Sequence, residues 1–271
     1  GDLEINCEGL TMNSGVRDGV GFQRQVTSFP RKFASRPGLA VEGRSASDIV
    51  EWDVVTWAKA VSFWKRHAGQ HLRGGRVLEL GARDGGLTHW LVSEGATVVC
   101  SDVHGPTDVA RRRHAEYIDA SIVDHVAVDA TDIPFESEFD VVVFKSVLGS
   151  IAGLLGEHSP DLAIAGMYRA LKPGGLLLFA ENLESSPVHL WLRRRMVAWG
   201  TNWQYLPLGR ILDALGAFDE VEFSTAGFLG TLGRSEPQRR VLSMADSALF
   251  DWTVPRRWNY VAFGVARKAA I

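Results

Sequence analysis

From residue 76 onward the chain alternates short, continuously apolar runs with longer stretches of helical spacing. The apolar runs are RVLEL at 76–80, ATVVCSDV at 96–103, HVAVDA at 125–130, FDVVVFKS at 139–146 and GLLLFAENL at 175–183. Unbroken Val/Leu runs of this length suit strands buried on both faces. Between them the spacing predicts helices at 86–94, 106–118 and 160–171. Such alternation predicts an α/β fold, a parallel sheet with helices on both faces. Lys172-Pro173-Gly174-Gly175 predicts a stop and turn before the fifth strand.

The flanks read differently. Residues 1–46 are loop-like, with scattered Gly, Arg, Ser and Asp and with Pro30 and Pro37 interrupting any period. In 47–67, Val50, Val54, Trp57, Val61 and Trp64 recur at helical spacing and predict one continuous helix. Ser47 or Asp48 would cap it, with Glu51 placed as in a capping box. Beyond the fifth strand, helices are predicted at 187–199, 207–216 and around 236–252, and alternating strands at 221–227 and 259–267.

Composition narrows the class. Apolar residues make up 46% of the 271 and charged residues 23%, which excludes a disordered chain. A net charge of −3 argues against a generally basic nucleic-acid binder. Cys7 and Cys100 are too few for a disulfide framework, and His and Cys are too scattered in sequence for a zinc motif, so no metal is expected. The absence of an apolar run of about 18 residues argues against a membrane span, and a cytoplasmic location is the expectation. Of nine tryptophans, Trp90 alone falls within 76–183.

The candidate chemistry begins at VLELGARDGGLTHWL, residues 77–91. A buried strand there runs through Glu79 into Gly81, passes Ala82-Arg83-Asp84, and reaches Gly85-Gly86 before a helix. Glycines at such a turn permit positive φ and let a ligand approach the backbone. The spacing is Glu-x-Gly-x-x-x-Gly, and Arg83 stands where a dinucleotide fingerprint has its central glycine. The next run ends in Ser101-Asp102, where a carboxylate can accept both hydroxyls of a ribose. The third ends in Asp129-Ala130, where an acid can accept from an adenine amino group. Glu79, Asp102 and Asp129, each near the end of a successive strand, point to one edge of the sheet.

With these residues in place the sequence resembles the class I S-adenosylmethionine-dependent methyltransferases, closest to the broad type 11 group. The resemblance covers residues 76–183. It rests on VLELGARDGG, CSD, VAVDATDIPF, FDVVVFKSVL and LKPGGLLLFAENL. It implies a Rossmann-like seven-stranded sheet of order 3-2-1-4-5-7-6 with strand seven antiparallel. To this would be added an N-terminal helical cap and a helical insertion between strands six and seven. Residues 1–70 would be an extension and lid, and 71–271 the catalytic domain with substrate-side segments at 184–258. By position, Glu79, Gly81, Ala82 and Gly85 would shape the methionine and ribose pocket, and Asp102 would hold the ribose. Asp129 and Ala130 would meet the adenine, and Lys145 and Ser146 would sit near the sulfonium. The cofactor implied is S-adenosylmethionine, leaving as S-adenosylhomocysteine.

Methyl transfer from a sulfonium needs positioning above all, and a base only if the acceptor must lose a proton. Glu181, His158 and Lys145 are the candidates for that chemistry, with Asn182 and His104 beside the acceptor. Trp52 and Trp57 would form a lid or pack the N-terminal helix on the core. The catechol-type metal set needs a carboxylate where Lys145-Ser146 stand, which argues against a metal. The expected acceptor is a small molecule, an oxygen of a sugar or secondary metabolite, with neither nucleic acid nor membrane as partner. The sequence does not fix the oligomeric state. Two rivals remain: a nicotinamide-dependent oxidoreductase on a similar sheet, and a non-catalytic module that keeps the fold.

Overall fold

The computed structural model describes residues 10–11, 25–28, 46–119, 121–187, 189, 191, 203–233, 235–250 and 253–270. The five runs expected as parallel strands form β3 (Arg76–Leu80), β4 (Thr97–Asp102), β5 (Val123–Ala127), β6 (Phe139–Lys145) and β7 (Leu171–Asn182). The two later segments form β8 (Glu220–Ala226) and β9 (Val261–Arg267). Across the sheet these seven run β5-β4-β3-β6-β7-β9-β8, with β9 antiparallel to both neighbours. That is the expected order, since β3 is the first strand of the series.

The sheet does not stop at seven. β1 (Leu10–Thr11) and β2 (Gln25–Ser28) extend it beyond β8, giving nine strands among the described residues. β2 pairs in parallel with β8, from Gln25↔Glu220 to Ser28↔Phe223. The loop-like reading of 1–46 is therefore corrected at these two strands. A four-residue run whose backbone is completed by a strand nearly two hundred residues away leaves too little periodicity to find.

The N-terminal helix is also corrected. It is not continuous but consists of α1 (Ala46–Val50) and α2 (Val54–Leu72). Glu51 and Asp53 between them take φ of 70° and 43°, which no helix tolerates. The first free N–H groups of α2 are met from a distance: Asp53 N and Val54 N donate to the Glu236 carboxylate at 3.1 and 2.9 Å. The expected caps Ser47 and Asp48 instead lie inside α1, and Glu51 lies just beyond its end.

The remaining helices are α3 (Gly86–Ser93), α4 (Asp108–Tyr117), α5 (Leu148–Leu155), α6 (Ser159–Ala170), α7 (Leu208–Ala214) and α8 (Glu236–Ala245). α5 was not foreseen. α6 ends at Ala170 and Gly174 takes φ 74°, as the expected stop and turn require, but Lys172–Gly175 lies within β7 as an irregularity: Phe139 pairs with Leu171, and Val141 already with Leu176. The expected helix at 187–199 falls almost wholly outside the described residues.

The sheet separates two cores. On one face α2 and α3 bring Trp57, Phe63, Trp64 and Trp90 against Val77, Val98, Val141 and Leu178. Trp64 donates its indole N–H to the Gly264 carbonyl at 3.0 Å, so the buried ring is satisfied. On the other face α5, α6 and α7 bring Leu148, Ile164, Met167 and Ile211 against Phe144 and Phe179. Crossovers after β3 and β4 place α3 and α4 on the first face, and those after β6 place α5 and α6 on the second.

Candidate functional site

The carboxyl ends of β3, β4 and β6 meet at the glycine turn. Gly81 takes φ 70° and Gly85 φ 72°. A methyl group on Gly81 would stand 2.6 Å from Val147 Cγ2, so glycine is required there for space as well as torsion. Arg83, between them, adopts φ 48° and turns its side chain outward, 71% exposed, toward Glu51 at 3.9 Å. It leaves the cleft uncrowded.

Asp102 ends β4 as expected. Its Oδ2 accepts from Arg83 N at 3.0 Å and its Oδ1 from Val103 N at 2.8 Å. These bonds fix the carboxylate against the turn and leave lone pairs for a diol. Asp129 and Ala130 lie past β5, which ends at Ala127, so they belong to the following loop and not to a strand end. Asp129 Oδ1 accepts from Thr131 N and Oγ1 at 2.8 and 2.7 Å. Ala82 is buried, with its N–H on the Ser101 carbonyl at 2.9 Å.

Glu79 is buried beneath the turn, and Thr88 of α3 donates its hydroxyl to it. Burial pushes its carboxyl up to about 8, although the Thr88 hydrogen bond and the nearby Lys145 ammonium pull the other way. Lys145 ends β6 with Nζ donating to the Val50 carbonyl at 3.2 Å and lying 5.2 Å from the Trp57 ring centre. Burial lowers its pKa, opposed by Glu51. Ser146 takes φ 57° and its Oγ accepts from Asn182 Nδ2 at 2.8 Å. Thus Lys145, Ser146 and Asn182 do converge at the ends of β6 and β7.

Other candidates are placed elsewhere. Glu181 is fully buried: Oε2 accepts from Val147 N and Leu148 N at 2.9 and 2.7 Å, and Oε1 from Asn182 N at 2.8 Å. Burial raises its carboxyl to about 7. Oε2 is taken by the start of α5 and Oε1 by β7 itself, so the carboxyl holds that helix onto the strand rather than facing an acceptor. His158 stands not in a loop after the fourth strand but beyond α5, at the start of α6, with its ring fully exposed and 4.0 Å from Asp161. His104 is exposed in the loop after β4. Trp57 is fully buried in the core under α2 and packs 5.5 Å from the half-buried Trp52.

What covers the turn is α1. The carbonyls of Asp48 and Ile49 lie so close to Gly86 that no side chain fits there. Glu51 and Val50 of this segment meet Arg83 and Lys145. The place of Glu51, Thr88 and the α1 carbonyls at this site was not legible in the sequence, because it depends on contacts between elements distant along the chain. Beyond the end of β7, a cleft of about 450 Å³ is lined by Glu184, Pro187, Leu208, Arg257 and Trp258 among others. It begins two residues past Asn182.

A protein-family model described as methyltransferase domain matches residues 78–179. A ubiquinone/menaquinone biosynthesis C-methyltransferase of Methylococcus capsulatus is 37% identical over 142 residues, 49% of this chain and 53% of that protein. A demethylmenaquinone methyltransferase of Clavibacter sepedonicus is 35% identical over 119 residues, 43% and 44% of the two chains. The match thus spans about half the length of these relatives. In fold, the chain is similar to magnesium protoporphyrin IX methyltransferase of Synechocystis, solved with S-adenosylhomocysteine. The TM-score is 0.54 at 16% identity, covering 82% of this chain and 86% of that one. It is also similar to phosphoethanolamine N-methyltransferase 2 of Haemonchus contortus, with TM-score 0.52, 20% identity, and 79% and 53% coverage.

Proposed function

We propose that this chain, which carries a methyltransferase domain of the class I S-adenosylmethionine-dependent type, methylates a small-molecule acceptor at a ring carbon of a hydroxylated aromatic. The observation that carries the cofactor assignment is Asp102, pinned by two backbone N–H groups at the rim of a positive-φ glycine turn. The chemistry fits the group. A fixed carboxylate suits a ribose diol, and the Glu51 and Asp102 carboxylates bring negative charge to the rim of the turn for a sulfonium cation. When bound, S-adenosylmethionine supplies an electrophilic methyl group with a neutral thioether as leaving group.

The aromatic acceptor is supported by the names of the relatives, one a ubiquinone/menaquinone biosynthesis C-methyltransferase and the other a demethylmenaquinone methyltransferase. A sugar oxygen has no such support. The cleft beyond β7 suits the same class: Trp258 offers a face for a flat ring, Leu208, Pro187 and Pro207 offer apolar walls, and Arg257 offers a cation for a phenolate. In this reading Asn182, held by Ser146, marks the boundary between the cleft and the glycine turn. Lys145 is fixed by the Val50 carbonyl and keeps α1 down over the turn. Glu181 is committed to backbone N–H groups, whereas Glu184 lines the cleft itself and is the carboxylate placed to take a proton from the acceptor, with Arg257 as the cation for the phenolate so formed.

Calorimetric titration with S-adenosylmethionine, S-adenosylhomocysteine and NAD(P) tests the cofactor. Mass analysis of products from hydroxylated aromatics and from sugars tests the acceptor. Binding of NAD(P) alone would overturn the first part. Methylation of sugar oxygens with untouched aromatics would overturn the second.

A further inference from the structure

Cys100, His114 and His125 are 14 and 11 residues apart in sequence, a spacing with no metal motif in it. The fold brings them together behind the glycine turn. Cys100 and His125 are direct register partners on β4 and β5, so their side chains share one face of the sheet. His114 projects onto the same place from α4. One donor atom from each lies within 4.8 Å of the other two. Three points so related lie within about 2.8 Å of a common centre, even in the widest, equilateral case. Cys100 and His114 are buried, and His125, on the edge strand, is half-buried and gives the way in.

We propose that these three side chains form a binding site for a borderline divalent transition-metal ion, zinc foremost. Donor chemistry and geometry both point there. Thiolate sulfur and imidazole nitrogen are the donors such ions take, at about 2.0–2.3 Å. From that widest arrangement the sulfur needs to move inward by about 0.5 Å and each nitrogen by about 0.8 Å to reach those lengths. His114 is already oriented as a ligand is. Its Nε2 lies 2.9 Å from the Gly85 carbonyl, the kind of backbone acceptor that aligns metal-binding imidazoles. With Nε2 donating there, the Nδ1 lone pair faces His125 Nε2 at 2.9 Å. Two facing ring nitrogens either share a proton or share an ion.

The balance is simple. On binding, the Cys100 thiol gives up one proton to solvent, and the His125 proton moves from Nε2 to Nδ1. One sulfur–metal and two nitrogen–metal bonds form, and a fourth position is left for water. The ion would tie β4, β5 and α4 into one unit whose His114 supports the glycine turn. The site stands apart from the acceptor cleft and does not depend on the acceptor proposed above.

The test uses the full chain, stripped with a chelator under a non-thiol reductant and titrated with Co²⁺. One Co²⁺ per chain, with a thiolate charge-transfer band that Zn²⁺ abolishes, is the expected result. Cys100→Ala and His125→Gln should each weaken binding more than about 100-fold, beyond what the loss of an orienting partner alone costs. Cys7→Ser should leave the band intact. Zn²⁺ should also raise the melting temperature of the wild type but not of the variants. Circular dichroism shows whether Cys100→Ala has folded. His125→Gln, changed at a half-buried edge position, carries the test if it has not. Absence of the band in the wild type would overturn the proposal and leave a hydrogen-bonded histidine pair. So would its persistence in either ligand variant.

Discussion

Replacing Glu79 with Gln isolates the cost of a buried charge. The substitution keeps size and shape, and the amide oxygen still accepts from the Thr88 hydroxyl. What it removes is the ionisation. Folding raises this carboxyl from 4.5 to about 8, with burial as the main cause. Between those values the folded state keeps a proton that the unfolded state has lost, so stability falls as pH rises. The stabilisation is complete below pH ~4 and is lost as pH climbs through the folded value. At about 1.4 kcal/mol per unit, the loss between pH 5 and pH 8.5 is roughly 4 kcal/mol from this residue alone. Glu79→Gln should therefore match the wild type near pH 5 and exceed it near pH 8.5. The gap would be more than about 1 M in urea midpoint for a chain of this size. Urea unfolding at the two pH values measures it. An equal change at both pH values would refute the reasoning, because it would mean that packing and not ionisation sets the difference.

Three further outcomes follow from the geometry. Asp102→Ala should weaken S-adenosylmethionine binding by about 1–3 kcal/mol, roughly 5- to 150-fold, by calorimetry, since it removes a charge-assisted acceptor for the ribose. Trp57→Ala should cost about 3–5 kcal/mol of stability in denaturant melts, as expected for a fully buried ring, with a smaller effect on cofactor affinity. A lid residue would show the reverse. Gly81→Ala should lower both melting temperature and cofactor affinity, because φ is 70° and Val147 Cγ2 lies 2.6 Å from the new methyl. Adding Val147→Ala relieves the clash but not the torsion, so recovery should be partial, with about 1 kcal/mol of the torsional cost remaining.

The five strands from 76 to 183, three of the four helices between them, the glycine turn, and Asp102 at the end of its strand were legible in the sequence. These are local matters. A buried parallel strand writes itself as a Val/Leu run, and a turn that needs positive φ writes itself as glycine. The order of the seven central strands was legible only through the resemblance carried by those motifs.

The tertiary structure decided everything that depends on partners far along the chain. β2 exists because β8 offers it an edge. The helix predicted through 47–67 breaks at Asp53 because Tyr260, 207 residues away, donates its hydroxyl to the Asp53 carboxylate, while Glu236 takes the N–H groups that follow. Glu181 looks like a free acid in sequence, yet the backbone at the start of α5 claims its Oε2 and the Asn182 N–H of β7 claims its Oε1. His158 looks close to the site and is separated from it by a helix the sequence did not announce. Cys100, His114 and His125 look scattered until parallel register sets two of them side by side and α4 lays the third across. Periodicity records which face of an element is buried. It does not record what the other side of the contact brings, and that is where the chemistry of these groups was fixed.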